Sequence, residues 1–174
     1  MDCEEVMLTV RIAAAERALL RELARGHGAD MSDVAADGLI DVVPSLHVLP
    51  AFPVRPEVAV QPVSSGAGPG SASGAGSESG TGDAGVLGLL RVLARPAPCA
   101  VTLWLPAPVA DLLPLVGERI TAVTGLRIGP ASAALSAALR YWLAGDPRQL
   151  AAGLAALHRQ GSPGLAAQRL DVAA

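Results

Sequence analysis

Apolar and polar positions alternate from Met7 to Ile12. Leu8, Val10 and Ile12 fall on one side of an extended strand and Met7, Thr9 and Arg11 on the other, because successive strand side chains point to opposite faces. The period then lengthens. Ala15, Leu19, Leu20 and Leu23 recur at helical spacing, with Glu16, Arg17, Arg21, Glu22 and Arg25 outside, which predicts an amphipathic helix with a solvated arginine face. Gly26 and Gly28 end it, as a helix C-terminus commonly requires. Asp30 can cap a second helix, with Asp33 in the capping-box position three residues on. Ser32 is an equally good cap if that helix starts two residues later. Val34, Ala35, Gly38, Leu39 and Val42 form its apolar stripe.

The same succession returns 93 positions later, from Ala100. Val101, Leu103 and Leu105 share a strand face, leaving Ala100, Thr102 and Trp104 on the other. A helix follows through Val109, Leu112, Leu113, Val116, Ile120 and Val123, and Pro114 is expected to kink it. Gly125 closes it, and Gly129-Pro130 starts the next helix with proline at a favourable first position. Leu135, Ala138, Leu139 and Trp142 are its apolar side. Neither unit can bury its own apolar face, and an isolated two-stranded hairpin is marginal in water. The two strands are therefore expected to pair as an antiparallel ribbon with Thr9 near Thr102. Their shared core is drawn from residues 5–43 and 99–144.

Between the copies, folding signals are sparse. Pro44, Pro50, Pro53, Pro56 and Pro62 interrupt an apolar stretch, and residues 64–82 are almost entirely Gly, Ser, Ala and Thr. Such composition cannot bury enough surface to offset its ordering entropy. Residues 44–98 thus read as a flexible, disordered linker with a root-mean-square reach of roughly 40 Å, carrying a possible short helix at 83–95 capped by Asp83. A last helix is expected from Pro147 to about Gln160, capped by Asp146 and stopped by Gly161, with Leu150, Leu154 and Leu157 as its stripe. The expected divisions are 1–43, 44–98, 99–144, and 145–174 as C-terminal helix and tail.

Composition narrows the chemistry. Hydrophobic residues make up 51% of the 174 residues, yet there are one Phe, one Tyr and two Trp, so Ala, Leu, Val and Ile must build the core. Every basic residue apart from histidine is Arg. Cys3 and Cys99 are too few for a disulfide framework or a metal site. His27, His47 and His158 are scattered, with no pair at metal-ligand spacing. The Gly-rich residues 66–82 lack the Lys and following helix of a phosphate-binding loop, and the linker serines have no local base. No enzyme activity, cofactor or metal is expected. The longest uncharged apolar run, Pro96 to Ala110, is too short to span a bilayer. Asp2, Glu4 and Glu5 stand where a secretory leader would be positive. A cytoplasmic protein with no membrane partner is the expectation.

Strand, helix, glycine-containing turn and helix within about 40 residues resembles the ribbon-helix-helix family of DNA-binding proteins. The carrying residues are Leu8-Thr9-Val10-Arg11-Ile12, Leu20 to Ala24, Gly28-Ala29-Asp30-Met31-Ser32, Val34 and Leu39. In the second copy they are Val101 to Pro106, Leu112-Leu113 with Val116, Gly125 to Pro130, and Leu135 to Leu139. The resemblance implies a mainly α fold with a two-stranded antiparallel β-ribbon, here as a tandem pseudodimer within one chain or between chains of a homo-oligomer. It implies that the ribbon enters the major groove of double-stranded DNA, a recognised docking mode. Met7, Thr9, Arg11, Ala100, Thr102 and Trp104 would then face bases. The helix starts at Met31-Ser32 and Ala131-Ser132 would offer amides to phosphates. Implied functions are a repressor or plasmid-maintenance regulator. The alternative is an antitoxin-like or other protein-binding adaptor, with residues 44–63 and the final helix as candidates to hold a toxin.

Charge divides unevenly. Residues 1–43 hold four Arg against nine Asp or Glu, a net charge of −5, whereas residues 91–145 hold five Arg against two acids, a net of +3. Phosphate neutralisation, on which DNA affinity leans, is therefore expected from the second unit, and Asp30 would repel a phosphate at its own helix start.

Overall fold

The computed structural model describes residues 4–51 and 80–161. The Gly/Ser-rich run falls mostly, and the C-terminal tail almost wholly, outside the described residues. In chain order the elements are strand β1 (Glu5–Ile12), helices α1 (Ala14–His27), α2 (Met31–Val48) and α3 (Gly80–Ala94), strand β2 (Cys99–Pro106), then helices α4 (Ala107–Ala110), α5 (Leu113–Thr124), α6 (Ala131–Leu143) and α7 (Pro147–Gly161). The described residues are 69% helical, with one two-stranded antiparallel sheet among them. β1 pairs with β2 over their full lengths, with Thr9 opposite Thr102, Met7 opposite Trp104 and Arg11 opposite Ala100. Alternation sets which face is inward. Val10, Ile12, Val101, Leu103 and Leu105 are buried, and Leu8 is half-buried against them.

Local signals decide most helix ends. Gly28 ends α1 at φ 64° and Gly125 ends α5 at φ 70°, left-handed values that glycine adopts without Cβ strain. Asp30 caps α2, its Oδ1 accepting from the amides of Ser32 (2.6 Å) and Asp33 (3.0 Å), while Asp33 Oδ2 accepts from the Asp30 amide (3.3 Å). Asp146 Oδ1 accepts from the Arg148 amide at 2.7 Å and so caps α7.

Several boundaries differ from the sequence reading. α2 runs through Pro44 to Val48, past the unit boundary expected at residue 43. Pro44 cannot donate to the carbonyl of Ile40, but both residues are exposed, so water can take that place. Arg119, from α5, donates to the carbonyls of Leu46 (2.9 Å) and His47 (2.8 Å), and also to that of Leu49. One guanidinium thus satisfies two of the carbonyls orphaned at the end of α2. The helix expected to kink at Pro114 is instead broken: α4 stops at Ala110, and α5 restarts with Pro114 in its first turn, where a missing amide costs nothing. Pro130 is the residue before α6 rather than its first. α3 begins at Gly80, so Asp83 lies inside it and is not its cap. Arg21 and Arg25 are exposed as expected, but Arg17 is half-buried, and its buried Nε has no hydrogen-bond partner among the described residues.

Packing crosses between the two halves of the sequence. α2 lies on β2 and α6 lies on β1, and α2 and α6 pack on each other. The last helix of each half crosses as well: α3 lies on α5 and α6, and α7 on α1 and α2. The core runs continuously through both halves, including Leu20, Leu39, Leu46, Leu89, Leu103, Ile120, Leu135 and Leu154. At the α2–α6 contact a Cβ on Gly38 would sit 2.6 Å from Trp142 Cε3, so only glycine allows the approach. The Trp142 indole donates to Asp41 Oδ2 at 3.0 Å. A second cross-tie joins Arg140 Nε to Glu16 Oε2 at 3.1 Å, with the two side chains 6% and 12% exposed. Glu16 Oε2 also accepts from the Ala13 amide (2.6 Å), and Arg140 donates to the Arg95 carbonyl (3.0 Å), so both charges are hydrogen-bonded.

Candidate nucleic-acid interface

The outer face of the ribbon brings together all six side chains expected to face bases. Met7, Thr9 and Arg11 of β1 and Ala100, Thr102 and Trp104 of β2 are exposed, and their register sets them in three opposed pairs. Met7 and Trp104 retain 57% and 51% of their accessible surface. Glu5, opposite Pro106 and also exposed, belongs to the same face. It lies two residues before the Met7–Ile12 alternation, at the first position of β1.

Each edge of the ribbon is met by the start of a helix from the other half. The Arg11 amide donates to Ser136 Oγ (3.0 Å) and the Trp104 amide donates to Ser32 Oγ (3.1 Å). Arg11 stands two residues beyond Thr9 and Trp104 two beyond Thr102, so these bonds occupy equivalent places about the centre of the ribbon. Ser32 does this from the second residue of α2, while Ser136 sits one turn beyond Ser132 in α6 and donates to the Ser132 carbonyl at 2.7 Å. The resemblance implies only a phosphate-facing place for Ser132 at this helix start. Nothing local singled out Ser136.

The two helix starts differ electrically. At α2, the Asp30 carboxylate already occupies the amides of Ser32 and Asp33, and the Ser32 hydroxyl is bonded to the ribbon. Of the two residues expected to serve a phosphate here, Met31 and Ser32, the Ser32 amide is already bonded to a carboxylate. At α6, Pro130 provides no side-chain cap, so the amides of Ala131 and Ser132 have no competing carboxylate of their own. Beside them a cleft of about 350 Å³ lies between β1 and α6, with Thr9, Arg11, Ser132 and Ser136 in its wall. Arg11 is the cation it shares with the exposed face, since Arg140 is held by Glu16. Burial pushes the Tyr141 phenol up, near the far end of α6 from this cleft.

Among the described residues, no group of three or more His, Cys, Asp and Glu could hold a metal ion. His27 and His158 are not scattered, however. Docking of α7 sets their rings 5.5 Å apart, edge to face, with His158 Nε2 2.9 Å from Asp37 Oδ2. No described helix is long and apolar enough to cross a membrane. Comparison of the chain with protein-family models, with curated proteins and with solved structures found no match.

Proposed function

We propose that the chain is a sequence-specific DNA-binding regulator, of the repressor or plasmid-maintenance kind. In this reading it is built as two ribbon-helix-helix units that form a pseudodimer in one chain. The observation that carries the reading is the ribbon: its inner face is filled by the helices, and its outer face presents Thr9, Arg11 and Thr102 to solvent. The major groove of B-DNA admits a two-stranded ribbon. Arg11 can donate twice to guanine O6 and N7, and Thr9 and Thr102 can bond a base edge or touch a thymine methyl. The open start of α6, at Ala131 and Ser132, supplies amides for a phosphate. Few arginines are available to displace counterions, so affinity should fall only gently with salt.

The test titrates the full chain against the duplex upstream of its own gene and against a scrambled duplex, at two salt concentrations. Arg11→Ala should weaken binding to the first by about 5-fold to 150-fold, the usual worth of a bidentate base contact. Binding to the scrambled duplex should change little. Equal, weak binding to both duplexes, unchanged by Arg11→Ala, overturns the proposal. It would favour the second reading, a protein-binding adaptor of antitoxin type. That reading draws on the exposed apolar Met7–Trp104 pair and on the −5 charge of residues 1–43.

A further inference from the structure

We infer that the duplex read by this ribbon is not an inverted repeat. One half carries a guanine set against Arg11 and a phosphate at the start of α6. The other half carries an A·T step whose thymine methyls meet Trp104 and Met7. This rests on the DNA-binding reading and specifies its target.

The geometry starts from the register. Thr9 and Thr102 face each other, so the local two-fold axis of the antiparallel ribbon passes between them. That axis carries Arg11 onto Trp104 and Met7 onto Ala100. A reader of an inverted repeat presents the same side chain at both members of each pair. This ribbon presents a guanidinium with paired donors at one position and an indole at its equivalent. Around Arg11 the neighbour across the ribbon is Ala100, small enough to leave the guanidinium access to a base edge. Around Trp104 the neighbour is Met7, and the two make an apolar surface still more than half exposed. A thymine methyl is the apolar group that the major groove offers to such a surface.

The edges of the ribbon supply an independent second observation. α6 lies along β1, the strand that carries Arg11, and its start has no capping side chain. α2 lies along β2, the strand that carries Trp104, and its start is closed by the Asp30 carboxylate. Glu5 adds a second exposed carboxylate two residues beyond Met7, at the Trp104 end of the outer face. Base-reading charge and phosphate-accepting amides therefore fall on the same half, while the other half is apolar on its face and acidic at its margin. The Arg11 and Trp104 rows are four residues apart along the ribbon. At about 3.3 Å per residue they are separated by roughly 13 Å, which is about four base pairs at a rise of about 3.4 Å.

Selection of tight-binding duplexes from a randomised pool by the full chain tests this. The expected motif lacks two-fold symmetry, with a guanine on one side and a thymine step about four base pairs away. Arg11→Ala should erase the guanine preference alone, and Trp104→Ala the thymine preference alone. Replacing those thymines by uracil removes only the methyl groups. It should weaken the parent about 4-fold per methyl, the equivalent of about 0.8 kcal/mol, and leave Trp104→Ala unaffected. A palindromic motif, or uracil substitution without effect on the parent, overturns the inference and leaves the DNA-binding reading standing. A pool that yields no motif overturns both.

Discussion

Between its strand and the helix that crosses onto the other half's strand (α2 or α6), the first half uses one uninterrupted helix of 14 residues, whereas the second uses two pieces of 4 and 12 residues. α2 starts on a side-chain cap and α6 starts without one. Residues 1–43 are acidic and residues 91–145 basic. Yet β1 and β2 have the same length and pair without a bulge, and α2 and α6 cross on them in matching fashion. The halves agree where apolar burial decides and diverge where solvent and charge decide. Burial of side chains on a two-stranded ribbon is register-sensitive, because a one-residue slip would turn the whole apolar face outward. Helix interruptions and caps are worth about 1 kcal/mol each and can be met in several ways.

The strongest way to break this comparison is to ask whether the halves fold apart. Leu103→Ala removes a fully buried side chain of β2, the strand on which α2 lies, and should cost about 2 to 5 kcal/mol, whereas Thr102→Ala beside it should stay within about 0.5 kcal/mol. Because the core is continuous, Leu103→Ala should lower a single thermal transition. Two separated transitions would show the halves to be independent modules, and a large loss from Thr102→Ala would invert the face assignment.

Gly38→Ala probes the crossing itself. The added methyl group would press on the Trp142 ring, buried and held by Asp41, and overpacking of this kind costs about 1 to 3 kcal/mol. Since alanine otherwise favours a helix interior by about 1 kcal/mol over glycine, a stabilised variant in a denaturant titration would show that the α2–α6 approach is not tight.

The smallest expected effect erases the difference between the helix starts. Asp30→Asn keeps a good cap, so its melting temperature should barely move, but it removes the charge facing any phosphate. Affinity for duplex DNA should rise several-fold at low salt, with the salt dependence slightly steeper. Unchanged affinity across the salt series would mean that the α2 side does not approach the backbone.

What could be read from the chain is what local periods encode. Alternation at Leu8, Val10 and Ile12 and again at Val101, Leu103 and Leu105 identifies both strands, and their equal length yields the observed Thr9–Thr102 register. Gly28 and Asp30 mark their turns through their own backbone and side-chain chemistry. What escaped notice depends on partners distant in sequence. α2 continues past Pro44 with its final carbonyls held by Arg119, more than 70 positions away. Glu16 and Arg140 are 124 positions apart, and neither residue type predicts its own burial. Within the candidate interface the six outward strand residues were legible, whereas Ser136 was hidden because a mid-helix serine has no pattern of its own.

The closure of β1 on β2 within one chain has a consequence in mass action. A ribbon assembled from two separate chains must form at the cost of their independent movement, and dilution dissolves it. Here both strands belong to one chain, so their pairing is intramolecular and does not depend on dilution. The melting midpoint should therefore be the same at nanomolar and micromolar protein. On the proposed DNA-binding reading, occupancy of a site should likewise rise with the first power of protein concentration, because one chain carries both strands of the ribbon.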